Sequence, residues 1–455
     1  MNSSLIKKYN VPGPRYTSYP TVPYWDEEHY NRGEWLRNFR YSFDRFGKEE
    51  GLSLYIHLPF CESLCTFCGC NKRITKDHSV EGKYIDSVLK EWQLYREQMS
   101  QKPVIADIML GGGTPTFFSP DNLKKLIKGL LHSTSLTQKA AFSFEGHPMS
   151  TTKEHFQVLH DLGFRRVSFG IQDFDHEVQK VINRIQPFEN VKEATETARN
   201  IGYDSVNYDI IYGLPLQKRE SIIDTVEKVK DLAPDRLAFY SYAHVPWKEG
   251  VGQRKFSEKD LPEKDEKREL YELGKEMLEN AGYKEIGMDH FALPCDELYK
   301  AEKNGRLHRN FMGYIPFTSK VLLGLGVSAI SDCYYAYSQN VKKVEDYCNI
   351  VSNNEFPILK GHINDHEDMI LRRIINDLMC NYKVEWSTAE QIQVPELARI
   401  EEMLAEPLND GLIDLYDRGL SLTKKGRPFV RNICMAFDLK LWRDKPTTRI
   451  FSMTV

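Results

Sequence analysis

Four of the nine cysteines fall within ten residues: Cys61, Cys65, Cys68 and Cys70. The run reads Tyr55-Ile-His57-Leu-Pro-Phe-Cys61-Glu-Ser-Leu-Cys65-Thr-Phe67-Cys68-Gly-Cys70-Asn71. Cysteines spaced by three and then two residues can wrap one loop around an iron–sulfur cubane, for which thiolates are the ligands. Three ligands for four irons leave one iron open. An open iron can chelate the amino and carboxylate groups of a small molecule, and an electron passed to a sulfonium there would break a carbon–sulfur bond and release a radical. Zinc is a competing occupant, with Cys70 or His57 closing a tetrahedron. Reactive, unligated thiols are a third possibility. The other cysteines, Cys295, Cys333, Cys348, Cys380 and Cys434, are scattered, which is unlike a secreted disulfide scaffold.

Other segments carry the residue types of a binding site. Gly111-Gly112-Gly113-Thr114-Pro115 would let backbone approach a ligand closely, or make a tight turn. Glu145 suits an ammonium or a ribose hydroxyl, or is a solvated charge at a strand end. Asp209 stands among apolar neighbours in NYDIIYG, where an unpaired carboxylate is costly, so it needs a partner. Tyr55 and His57 share one face of a strand; His57 is a satisfied core histidine or tunes the loop through a hydrogen bond. His308-Arg309-Asn310 and Asp289-His290 form a polar group in an apolar setting. Arg309 and Arg15 are candidates for gripping carboxylates by two-pronged pairing.

The elements that must position these residues have a clear rhythm from residue 52 onward. Strand candidates are Leu52–Leu58, Ile105–Leu110, Ala141–Glu145, Arg166–Gly170, Ser205–Ile211 and Arg236–Tyr242. Amphipathic helical segments lie between them at 80–98, 120–132, 152–162, 189–201 and 218–231. Strands alternating with helices give a parallel sheet with right-handed crossovers, as a barrel, a partial barrel or a doubly wound sheet. The cysteine loop follows the first strand directly, at the strand edge where such folds build sites.

Residues 1–50 read as an irregular but ordered arm, since Val11 to Trp25 holds four prolines and aromatics that want burial. After about residue 345, segments 365–382 and 395–411 look helical and 412–426 reads as a β-hairpin. The expected organisation is an arm at 1–50, a catalytic domain at 51–345 and a smaller, mainly helical C-terminal domain at 346–455. A length of 455 residues fits one large domain plus a smaller one. Net charge −4 gives no reason to expect a nucleic-acid partner, and no apolar run reaches the roughly 20 residues of a membrane span. The N-terminus lacks a signal-peptide core, so the cytoplasm is the expected compartment.

The C-x3-C-x-F-C loop is the signature of radical S-adenosylmethionine (SAM) enzymes. YIHLPFC followed by CTFCGCNK resembles the oxygen-independent coproporphyrinogen III oxidases. The resemblance runs on through GPRYTSYPT at 13–21, GGGTPT at 111–116, GIQDF at 170–174, DIIYGLP at 209–215 and DRLAFYSYAH at 235–244. It continues through GMDHFA at 287–292, LHRNF at 307–311, GLGVSAIS at 324–331 and RNICMAFD at 431–438.

The resemblance implies an α/β fold with a partial (β/α)6 TIM-like radical SAM barrel. It implies a [4Fe-4S] cluster on Cys61, Cys65 and Cys68, with Cys70 belonging to the CGC ending, and two SAM molecules. Tyr55, Gly112, Glu145 and Ile330 would touch the first SAM. Phe67, Gly113, Thr114, Gln172, Arg184, Asp209 and Ala243 would surround the second. The implied reaction is oxidative decarboxylation of the ring A and B propionates of coproporphyrinogen III to vinyl groups, giving protoporphyrinogen IX. A deoxyadenosyl radical would start it, and no protein base is assigned. A monomer served by an electron-donor protein such as flavodoxin is expected. Two departures stand out: Glu145-Gly146-His147-Pro148 replaces a pattern like E-V-D-P, and Met312 stands where relatives often carry Gln. The alternatives are a haem-binding chaperone-like relative and a radical SAM methyltransferase acting on a tetrapyrrole; the Gly69-Cys70 ending and the long N-terminal arm favour the oxidase over the chaperone. Cys61→Ala is expected to abolish the visible absorbance of the reconstituted protein; a variant that still binds zinc in place of iron would contradict the cluster.

Overall fold

Leu52, Leu54, Ile56 and Leu58 are fully buried and alternate with Ser53, Tyr55 and His57 along the first strand, β1 (Leu52–Leu58). An alternation of this kind puts an apolar face against helices and a more polar face toward a barrel interior. The computed structural model describes residues 3–245, 252–253, 256–317, 319–448 and 450–454. Five more parallel strands follow: β2 (Val104–Gly112), β3 (Ser135–Gly146), β4 (Phe164–Gln172), β5 (Ser205–Tyr212) and β6 (Arg236–Ser241). They lie side by side in chain order. A sheet that adds each strand on the same side keeps its crossover helices on one face, which is the winding of a barrel. A doubly wound sheet would reverse its order, so that layout is excluded.

The sheet has twelve strands, six more than the alternation revealed. On the β6 side come the antiparallel β7 (Lys284–Ile286) and β8 (His290–Ala292), with β8 paired to β6. On the other side β9 (Leu322–Leu325) runs parallel to β1, followed by antiparallel β10 (Ile330–Asp332), β11 (Ala336–Asn340) and β12 (Ile358–Ile363). With β12 and β7 as its edges the sheet remains open, a partial barrel. Expected position 346 falls before β12, so the barrel sheet runs on to Ile363.

Helices α1 (Arg32–Phe46), α2 (Val80–Arg96), α3 (Pro120–Leu131), α4 (Lys153–Asp161), α5 (Phe188–Ile201), α6 (Arg219–Leu232) and α7 (Lys264–Asn280) flank the sheet. The first of these corrects the reading of residues 1–50 as irregular. Its signal is present in the chain: Asn31 caps Gly33 and Glu34, and Trp35, Phe39 and Phe43 recur every four residues on its buried face. The rest of the arm does lie on other surfaces. Trp25 stacks on Tyr337 at 5.0 Å, and Tyr16 and Tyr19 are buried in the C-terminal core.

That core forms around α8 (His366–Asn381), whose Leu371, Ile374, Ile375 and Leu378 meet Val430, Ile433 and Phe437. Segment 395–411 is not one helix. A 3-10 turn (Pro395–Arg399) is followed by short helices Ile400–Met403 and Ala405–Asn409. The Pro407 ring opposes the carbonyl four residues earlier, at Met403, where the first short helix stops. The hairpin is present as Ile413–Tyr416 and Gly419–Leu422.

Glu91 of α2, which is fully buried, ties the helix after β1 to the segments that follow β9 and β11. Its carboxylate accepts from Gly326 N at 2.8 Å, Asn340 Nδ2 at 2.7 Å and Tyr347 Oη at 2.6 Å. Burial pushes its pKa up to about 7, with those three donors opposing the shift. Glu91→Ala leaves three buried donors unsatisfied and is expected to cost roughly 3 kcal/mol or more of stability, readable as a lower denaturation midpoint.

Candidate active site

Strand β1 delivers the cysteine loop, and β2 holds its root. Gly113 N donates to Leu58 O at 2.8 Å and Thr114 N to Phe60 O at 3.0 Å. Opposite them, Arg73 N donates to Pro59 O at 2.8 Å and Thr75 N to Cys61 O at 2.9 Å. The glycines are there for space. A Cβ on Gly113 would lie 2.5 Å from Pro59 O, and one on Gly112 would lie 2.9 Å from the His57 ring. Gly112 also has φ +118°, a left-handed value that L side chains rarely adopt. His57 is a satisfied, buried histidine and also a tether. Its Nε2 donates to Asn71 O at 2.9 Å, leaving Nδ1 to accept from Tyr55 Oη at 3.2 Å. Burial lowers its pKa to about 4, so it stays neutral.

One cavity of about 490 Å³ gathers Cys61, Cys65, Cys68, Phe67, Gly112, Gly113, Thr114, Glu145, Gln172, Arg184 and Asp209. Tyr55, Ala243 and Ile330 do not line it. Tyr55 lies beside it, its ring close to Gly111. Ala243 is tied to the loop through Gln253, whose Nε2 donates to both Ala243 O and Phe67 O at 3.0 Å. Ile330 opens β10, paired with Gln339.

Charges are arranged around the thiols. Arg184 Nη1 lies 3.6 Å from Cys65 Sγ, and its Nε and Nη2 donate to Gly170 O at 3.0 and 2.8 Å. Lys72 Nζ donates to Cys68 O and Cys70 O, each at 3.3 Å. A hydrogen bond from the neighbouring Cys70 thiol, aided by Lys72, pulls the Cys68 pKa down to about 6. Burial pushes Cys61 up to about 11, opposed by its 3.2 Å contact with Thr114 Oγ1. Cys70 is exposed. Among the described residues, no three Cys, His, Asp or Glu side chains converge tightly enough to hold a single metal ion. Cys61, Cys65 and Cys68 line the same cavity, and thiolates are the ligands that iron–sulfur clusters use.

The two carboxylates face the same space. Burial, then the charge of Asp209, pushes Glu145 up to about 7, although Gly112 N donates to it at 3.1 Å. Asp209 has the partners its apolar surroundings demanded: Ser168 Oγ at 3.3 Å and Asn207 Nδ2 at 3.0 Å. Burial still raises it to about 6. An ammonium or sulfonium entering here would meet two carboxylates short of a counter-charge.

His147, from the unusual EGHP segment, also lines the cavity. Its Nδ1 accepts from Met149 N at 3.2 Å, and burial followed by Arg184 lowers its pKa to about 3. Ser168, Lys72 and Asn183 line the cavity without having been singled out from sequence. A lone Ser, Lys or Asn carries no spacing signal, and only the Lys72 position beside the cysteine loop hinted at a role.

A smaller cavity of about 170 Å³ continues into the barrel interior, sharing Glu145, Ser168 and Asp209 with the first. Tyr240, His290, Met312 and Tyr314 line it. Arg15 Nη1 approaches Asp289 at 3.5 Å, away from the cysteine loop.

Residues 55–229 match the model of the radical SAM superfamily, and residues 364–429 match that of the HemN C-terminal domain. The chain is 39% identical to the oxygen-independent coproporphyrinogen III oxidase of Pseudomonas aeruginosa over 445 residues, covering 96% of this chain and 95% of that protein. It is 38% identical to the Escherichia coli protein of the same name, covering 99% and 98%. The solved structure of the E. coli coproporphyrinogen III oxidase, a radical SAM enzyme, superposes with a TM-score of 0.89 at 36% identity, covering 97% of this chain and 99% of that one.

Because Pro59 O is backbone and cannot swing aside, Gly113→Ala is expected to displace the root of the cysteine loop. Iron and sulfide bound after anaerobic reconstitution should fall to less than half of the wild-type value; full loading would show that the close approach is dispensable.

Proposed function

This chain belongs to the oxygen-independent coproporphyrinogen III oxidases of the radical SAM superfamily, and from that premise we propose that it converts coproporphyrinogen III to protoporphyrinogen IX. Members of the superfamily use a [4Fe-4S] cluster and SAM. The observation that carries the proposal is the single cavity where three thiols, a glycine edge, two carboxylates and a guanidinium meet.

In this proposal Cys61, Cys65 and Cys68 would hold the cluster. Bound together, cluster and SAM would supply a 5′-deoxyadenosyl radical for hydrogen-atom abstraction from a propionate β-carbon. Each reacting propionate would give up that hydrogen atom, carbon dioxide and one electron, the electron passing to an external one-electron acceptor, to become a vinyl group.

The chain's own residues bind, orient and exclude. Glu145, held by Gly112 N, is the counter-charge for a SAM ammonium; Tyr55, Gly112 and Ile330 complete that first site. Phe67, Gly113, Thr114, Gln172, Arg184, Asp209 and Ala243 shape a second SAM site. Two reacting propionates call for two radical events, which is the chemical reason for two SAM molecules. Gln172 has φ +68°, a strained conformation for a residue with a side chain, of the sort that clusters at functional sites. His147 stays neutral, so the EGHP segment withdraws one negative charge from the cavity, where burial already raises Glu145 to about 7 and Asp209 to about 6.

The described helices include none long and apolar enough to cross a membrane. We further propose a cytoplasmic monomer reduced by an electron-donor protein such as flavodoxin. Thiols needed free for a cluster suit a reducing compartment.

The test is anaerobic turnover of the reconstituted protein with reductant, SAM and coproporphyrinogen III. Protoporphyrinogen IX is expected, with two molecules of 5′-deoxyadenosine per molecule of product. Stoichiometric haem binding without product would replace this proposal with the chaperone-like alternative. In the same assay Asp209→Asn, which keeps the size and loses the charge, is expected to lower kcat/KM by at least tenfold, corresponding to about 1.4 kcal/mol.

A further inference from the structure

A second large cavity, of about 500 Å³, lies between the N-terminal arm, the 307–309 segment and helix α8. It contains no cysteine-loop residue and shares no residue with the cluster cavity. Its walls are rich in cations, and most are already matched. Arg372 pairs with Asp332 at 2.6 Å, Arg373 with Glu390 at 2.9 Å and Asp377 at 3.0 Å, and Lys320 with Glu50 at 2.5 Å.

Arg306 is exposed on the rim; Arg309 is the buried exception. It is 7% exposed. Among the described residues its Nε donates to Arg15 O at 3.3 Å, its Nη1 is buried with no partner, and its plane lies over Tyr314 at 4.6 Å in place of a carboxylate. A buried guanidinium without a counter-anion is costly, and the cost is relieved when an anion arrives. Ser18 shares the condition: its Oγ is buried without a hydrogen-bond partner, and it lines the same cavity. His308, also on its wall, is kept neutral by burial with its pKa lowered to about 4. Its Nδ1 accepts from Asn376 Nδ2 at 3.2 Å, which leaves Nε2–H as a donor. Two buried groups left wanting in one cavity, Arg309 Nη1 and Ser18 Oγ, call for a single explanation.

We propose that this cavity is a carboxylate-binding site, centred on Arg309 with Ser18 and His308, that holds propionates of the tetrapyrrole which do not react. The proposal rests on the proposed function, since the reaction leaves two of the four propionates intact and charged. Tyr314 links the two regions: one side meets Arg309, and it also lines the barrel-interior cavity that adjoins Glu145 and Asp209.

The test is equilibrium binding of coproporphyrin III, the stable oxidised tetracarboxylate, to the cluster-loaded protein, followed by porphyrin fluorescence. Arg309→Gln is expected to weaken binding on the order of tenfold or more, Arg309→Lys by less, and Ser18→Ala, which removes one oxygen atom, by a few-fold. The tetramethyl ester of the same porphyrin should bind the wild type as weakly as the acid binds Arg309→Gln. The electron paramagnetic resonance of the reduced cluster with and without SAM should be unchanged in all three variants. Equal affinity of Arg309→Gln and wild type for the acid, or of acid and ester for the wild type, overturns the site. Wild-type turnover separates the two claims: a protein that makes protoporphyrinogen IX while Arg309→Gln binds normally loses only this site, and a protein without turnover loses the function.

Discussion

Backbone hydrogen bonds pin the root of the cysteine loop from two sides. Gly113 and Thr114 grip Leu58 and Phe60 on one side, and Arg73 and Thr75 grip Pro59 and Cys61 on the other. Side chains could not make this clamp, because the Gly113 Cα sits against the Pro59 carbonyl with no room for a methyl group. Everything chemical in the molecule is built outward from it. It sets where Cys61 leaves β1, and the loop from there carries Cys65 under Arg184 and Cys68 beside Lys72. The same glycine edge presents Gly112 N to Glu145. Electrostatics then completes the arrangement: cations lie near the thiols, and the carboxylates underneath are left partly uncompensated.

The barrel winding explains why residues far apart in sequence converge. Successive parallel strands deliver their C-terminal ends to one rim, so Cys61, Gly112, Glu145, Gln172 and Asp209 arrive from five consecutive βα units. The polar interior beneath the rim is expensive, and each buried carboxylate there has donors or a counter-charge. Asp209 has Ser168 and Asn207, and Asp107 faces Arg166 at 3.6 Å.

Much of this was legible in the chain because two periodicities alternate cleanly. The six parallel strands and the five helices between them are found within a few residues of their expected bounds, except that β3 begins six residues before its expected start at Ala141. Residue chemistry at the strand ends also pointed to the rim. The strands missed were mostly short. Three residues such as Lys284–Ile286 or His290–Ala292 carry no period and become strands only because β6 offers an edge. Helix α1 was overlooked although its every-fourth aromatic pattern is plain, since prolines upstream dominated the reading of the arm. Gln253 could not have been found: its role is to bridge two carbonyls 176 residues apart in sequence, Phe67 and Ala243. The segment at 395–411 has the composition of a helix, and one proline ring divides it.

The parallel pairing of β1 with β9 has a consequence for the order in which the molecule comes into being. Ser53 pairs with Leu322, a separation of 269 residues, and Glu91 awaits Gly326, Asn340 and Tyr347. Contacts of such range form late and slowly, after the entropy of closing a long loop has been met. On the ribosome, the cysteine loop emerges long before the strand that backs it. A nascent chain that has exposed Cys61 to Cys68 therefore still lacks one flank of β1 and the turn at Gly326 against which His57 is packed. The thiols of the growing chain are thus exposed before the architecture that surrounds β1 is complete.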